Sequence, residues 1–122
     1  MLVAMAPGKV ALSAEPMLHC KVAESGETHI VETALVSNPY AVKAAEFRRF
    51  RFKAVFIGAD KQIEYIKLYS YYLNGQRAVL LHESKHMPPF TQATPISGVN
   101  YIYSPVLGHE MQYQCSLSGL DR

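Results

Sequence analysis

The chain of 122 residues has no tryptophan and only two cysteines, Cys20 and Cys115. Two thiols far apart in sequence match neither a C-x-x-C redox motif nor the paired spacing of a zinc site. No apolar run approaches the roughly 18 residues that a membrane-spanning helix needs. The formal charge is only +2, so net charge supplies no nucleic-acid footprint. No G-x-S-x-G elbow, P-loop, H-E-x-x-H or paired-carboxylate pattern occurs. These absences point away from an enzyme and toward a protein that works without a cofactor. Internal repeats and low-complexity tracts are also missing.

What is present is ordinary for a folded domain. Hydrophobic residues make up 49% of the chain, too many for a disordered one. The length predicts one domain, large enough for a real core and small enough to gain from a covalent staple. Eight tyrosines and five phenylalanines dominate the aromatics. Tyrosine suits half-exposed sheets, where the ring packs and the hydroxyl stays wet.

Residues 1–14, "MLVAMAPGKVALSA", are small and apolar with a single charge at Lys9. Ala11 and Ser13 have the small-residue spacing that precedes signal cleavage. The segment reads as a signal-peptide remnant or as a disordered N-terminus, and residues 15–122 as one β domain. The first reading places the protein in the periplasm or outside the cell. The second leaves it in the cytoplasm.

From residue 17 the pattern has mostly period two. "MLHCKVAE" stops at Ser25-Gly26, and the β-branched "THIVETALV" returns, so the pair reads as a hairpin. Asn38-Pro39 opens a turn. "YAVKAAEF" supplies the one helical candidate, a short helix near residues 40–46. In "FRRFRFKAVFIG", Phe50, Phe52, Ala54 and Phe56 share a face opposite Arg49, Arg51, Lys53 and Val55. In "IEYIKLYSYYL", Ile66, Leu68, Ser70 and Tyr72 share a face opposite Tyr65, Lys67, Tyr69 and Tyr71. Asn74-Gly75 is a strong hairpin signal of the type I′ kind. "QRAVLLHESKHM" is the return strand and Pro88-Pro89 ends it. "VNYIYSPV" and "EMQYQCSLSGL" read as the last two strands. About seven strands at this spacing predict an all-β fold, an antiparallel sandwich (Ig-like) or a small barrel. An antiparallel meander over residues 48–87 forms its centre.

Cys20 falls in the first strand and Cys115 in the last, and in either architecture such strands are often neighbours or face each other across the core. A bridge would close a loop of roughly 95 residues, worth on the order of 4–5 kcal/mol by loop-closure entropy. An oxidised pair also fits an exported protein better than a cytoplasmic one.

Three groups of residues are candidate sites. Arg49, Arg51 and Lys53 would lie beside Tyr65, Lys67, Tyr69 and Tyr71 if their strands pair. Cations interleaved with rings form a face able to stack planar groups and hold anions. The plain alternative is the solvent side of a sheet. His82, His86 and Met87 in "HESKHM" offer imidazole and thioether, the ligands copper takes in oxidising compartments. Two histidines four apart on a straight strand sit roughly 13 Å apart, however, so one ion would need the chain to bend. The third group is "SGVNY", residues 97–101. It resembles the Ser-Gly-x-x-Tyr loop of bacterial periplasmic lysozyme inhibitors of the small β-barrel type. The resemblance covers a handful of residues, and that family's downstream aromatic-Lys-Gly element is absent. It implies that Ser97 and Tyr101 enter a lysozyme cleft and engage its catalytic carboxylates.

The resulting expectation is a non-catalytic, exported β-domain that binds a protein or an anionic envelope component. Nucleic acid is disfavoured as a partner. The alternatives are a cell-wall hydrolase inhibitor and a copper-binding periplasmic protein.

Overall fold

The computed structural model describes residues 15–91, 95, 96, 98–104 and 108–120. The readings of the first fourteen residues and of Ser97 fall outside the described residues.

Among the described residues, eight strands form two four-stranded antiparallel sheets. The first sheet has the order β2 (Glu27–Ala34), β1 (Met17–Glu24), β8 (Glu110–Ser118), β7 (Asn100–Tyr103). The second is a meander of β3 (Ala45–Glu46), β4 (Phe50–Ala59), β5 (Gln62–Asn74) and β6 (Arg77–His86). Of the two architectures the sequence allowed, this is the sandwich. The eighth strand beyond the expected seven is the two-residue β3.

Period two decides which side chains meet between the sheets. Leu18, Cys20 and Val22 of β1 and Met111, Tyr113, Cys115 and Leu117 of β8 point inward and are at most 2% exposed. They face Phe50, Phe52, Ala54 and Phe56 of β4 and Ile66, Leu68 and Tyr72 of β5, the two rows expected to share faces. Each fully buried Phe or Leu contributes about 1.5–3 kcal/mol by leaving water. Phe52 and Tyr113 meet across the sandwich with ring centroids 5.0 Å apart.

Turn chemistry sets the registers. Ser25 and Gly26 both have positive φ, 54° and 79°, the type I′ pattern whose twist matches the flanking strands. Asp60 and Lys61 do the same between β4 and β5, at 53° and 63°. The β5–β6 hairpin is displaced by one residue from the expected turn. Asn74 pairs with Arg77, so Gly75 and Gln76 are the central residues. Gly75 has φ 65° and Gln76 has no positive φ, which fits a type II′ turn rather than type I′.

The helical candidate shrinks to one 3-10 turn, Pro39–Ala41. The Asn38 side chain accepts the Tyr40 amide at 2.9 Å and caps that turn. Val42 then takes an extended conformation, and the chain enters β3 on the edge of β4. Helix propensity over a few residues is too weak to outweigh pairing with an available sheet edge.

Cys20 and Cys115 form a disulfide. The bridge lies between neighbouring strands of one sheet and points into the core, where both residues are fully buried. No helix among the described residues is long and apolar enough to cross a membrane.

Candidate functional site

The outer face of the meander carries the cation–tyrosine row. Pairing of β4 with β5 puts Arg51 opposite Tyr71 and Lys53 opposite Tyr69. The Arg51 guanidinium lies 5.8 Å from the Tyr71 ring centre, and the Lys67 ammonium 5.9 Å from that of Tyr69. Tyr69 and Tyr71 lie nearly parallel, 6.3 Å apart. Arg49 precedes β4 and is exposed; its carbonyl accepts the Leu73 amide, which extends the ladder by one residue. Val55, expected on this outer face, is buried at 4%, as is its neighbour Ile57 at 3%.

β6 adds a member that sequence reasoning missed. Lys85 pairs with Lys67 and holds its ammonium 5.2 Å from the Tyr65 ring centre. Two carboxylates reach the same face. Glu46 binds Arg51 with an Oε2–Nη2 distance of 2.6 Å, and Glu83 lies 3.4 Å from Lys67. Tyr69, and after it the Glu83 carboxylate, hold the Lys67 ammonium above its usual pKa range. Four strand-borne cations against these two carboxylates leave the face positive around half-exposed phenol rings.

The orientation of Lys85 follows from a bulge. Asn74 pairs with Arg77 and Tyr71 with Leu80, but Ser70 pairs with His82, so Leu81 is the extra residue. Without it, Glu83 and Lys85 would point into the core. With it, His82, Ser84 and His86 point inward instead. Ser84 Oγ lies 3.2 Å from His86 Nε2 and 3.4 Å from the Tyr113 hydroxyl, and that hydroxyl is 3.4 Å from His82 Nδ1. The two histidines therefore share a polar chain through Ser84 and Tyr113. Burial lowers the His86 pKa. Burial also raises that of Tyr113, which the Ser84 hydrogen bond partly offsets. Met87 is 56% exposed. Among the described residues, no group of three or more His, Cys, Asp or Glu is placed to hold a metal ion.

Tyr101 projects from the short edge strand β7 and is 55% exposed. Gly98 just before it has φ 68°, which turns the chain into that strand.

A third location is an open cleft of about 440 Å³ at one end of the sandwich. Its lining includes Glu24, the Ser25-Gly26 turn, His109, Glu110 and Gln112. Glu24 continues the inward row of Leu18, Cys20 and Val22, and is only 4% exposed. Its Oε2 accepts the Arg49 backbone N–H at 2.8 Å across the two sheets. The period-two signal for an inward carboxylate was readable in "LHCKVAE". Which groups would surround it was not, because Arg49, His109 and Glu110 reach it only through the fold.

The chain matches no protein-family model, no curated protein and no solved structure.

Proposed function

We propose that this chain is a non-catalytic binding module of an exported, oxidising compartment. Its outer meander face would take an anionic polymer of the cell envelope. The observation that carries this reading is the alternation of Tyr65, Tyr69 and Tyr71 with Arg51, Lys53, Lys67 and Lys85 on one solvent-facing sheet surface. Rings offer flat apolar faces to sugar rings, and the cations pair with carboxylate or sulfate groups. The buried Cys20–Cys115 bridge supports the compartment, because such bonds persist where thiols are not kept reduced.

Calorimetric titration with polygalacturonate tests this reading. Saturable binding that weakens as salt rises is expected. Replacing Tyr69 and Tyr71 together by Ser should weaken it by about tenfold, since two exposed ring contacts are worth about 1.4 kcal/mol or more. Equal affinity of the variant would make this face ordinary surface.

The exposure of Tyr101 favours a second reading, inhibition of a cell-wall hydrolase by the segment 97–101. A lysozyme assay at micromolar protein decides it. Inhibition lost on Tyr101→Ala supports it, and no inhibition of any lysozyme class ends it.

A further inference from the structure

The outer face of the first sheet, away from the meander, holds three polar side chains in line. His19 is an outward residue of β1, next to the bridged Cys20. Its direct neighbours are Glu32 on β2 and Ser116 on β8. The Cys20–Cys115 bond, one position away, fixes the β1–β8 register at this point. Ser118 lies two residues beyond Ser116, on the same face. Both ring nitrogens of His19 are engaged. Nδ1 lies 3.1 Å from Glu32 Oε2, and Nε2 lies 2.6 Å from Ser118 Oγ. An ionised carboxylate can only accept, so in the neutral ring Nδ1 carries the proton. Nε2 then presents its lone pair, and the Ser118 hydroxyl donates to it.

Hydroxyl to imidazole to carboxylate is the order that activates a serine. A base within hydrogen-bond reach takes the hydroxyl proton, and a third group holds that base in the right tautomer. The trio stands on a solvent-facing surface. The His19 side chain is 34% exposed, that of Glu32 56%, and Ser118 is partly exposed. An acyl donor therefore approaches from water. No sequence motif marks the set, because positions 19, 32 and 118 come together only through the strand order β2-β1-β8.

We propose that Ser118 is a nucleophilic modification site for activated acyl esters, with His19 as its general base and Glu32 as the positioning residue. Ser118 Oγ attacks the acyl carbon and forms the new C–O bond, while its proton passes to His19 Nε2. The bond from the acyl carbon to the leaving oxygen then breaks. That oxygen keeps the electron pair and takes the proton from Nε2. The products are O-acyl-Ser118 and a free alcohol or phenol. One acyl group is taken up per chain, so the reaction is independent of polymer binding on the other sheet.

The test treats the full chain with p-nitrophenyl acetate in mildly alkaline buffer and follows acetylation serine by serine through peptide mass mapping. Ser118 should react about a hundredfold faster than Ser25, the exposed serine of the β1–β2 turn. His19→Gln should bring Ser118 down to the Ser25 rate. Glu32→Ala should slow Ser118 several-fold. In that variant the 15N shifts of the His19 ring should show the Nδ1–H tautomer giving way to Nε2–H, a change that a merely structural role would not produce. Equal rates at Ser118 and Ser25, or a His19→Gln chain that acetylates Ser118 as fast as the parent, would overturn the proposal. A neutral His19 ring protonated at Nε2 in the parent would overturn it as well. None of these outcomes bears on polygalacturonate binding by the opposite surface.

Discussion

Cys20 and Cys115 stand directly opposite each other on β1 and β8, their Cα atoms 4.1 Å apart. The pair joins the first and last strands of the domain at the centre of one sheet. Because β1 and β8 also supply half of the core, loosening them exposes the faces of β4 and β5. The bond closes a loop whose ends are 95 positions apart. Replacing both cysteines by alanine should therefore lower unfolding free energy by about 2–5 kcal/mol. Urea unfolding of the variant beside the parent measures it. A midpoint unchanged within error would mean that strand pairing alone holds the two ends.

The two faces of the meander should respond differently to truncation. Phe52 is fully buried against Tyr113, so Phe52→Ala should cost about 3–5 kcal/mol. Tyr69→Ser, on the outer face, should stay within about 1 kcal/mol. Thermal melting of the two variants separates them.

Much of this contrast was legible in the sequence. The alternations in "FRFKAVF" and "IKLYSYY" assign the inward and outward rows of β4 and β5 by period, apart from Val55, which was expected outward and is buried. The inward polar row of β6 was not legible. Its orientation depends on the extra residue Leu81, and a one-residue slip exchanges His82, Ser84 and His86 for Glu83 and Lys85. The environment of Glu24 was equally hidden, because Arg49, His109 and Glu110 reach it only through the sheet order.

A dependence on pH follows from the part-buried His86 and the buried Tyr113. The folded His86 pKa lies below its ordinary value near 6.5, because burial disfavours the charged imidazole. Below about pH 6.5 the unfolded chain takes up this proton more readily, so stability falls as pH drops toward the folded pKa. Tyr113 behaves in the opposite sense. Its folded pKa lies above 10, so its contribution is complete below about pH 10 and is lost as pH rises through the folded value. Denaturant midpoints across the pH range should show a plateau between these limits. The acid limb should flatten in His86→Gln. An unchanged acid limb would show that other groups carry it.

Gly58 ends the regular part of β4, where the register with β5 shifts. A Cβ there would overlap the Gln62 carbonyl oxygen, a backbone atom that cannot swing away. Gly58→Ala should cost more than the 1–3 kcal/mol that is roughly typical of overpacking, and should loosen the β4–β5 hairpin. Gly75→Ala meets no atom within 4 Å and strains only the turn, so it should cost less. Hydrogen exchange of the β4 and β5 amides compares them.

The central claim concerns where a ligand touches the protein, so an amide and side-chain NMR map during polygalacturonate titration tests it most directly. The account predicts shifts confined to the outer meander face: Arg51, Lys53, Tyr65, Lys67, Tyr69, Tyr71 and Lys85. Shifts centred on Tyr101 and the edge of β7, or none at saturating polymer, would contradict it.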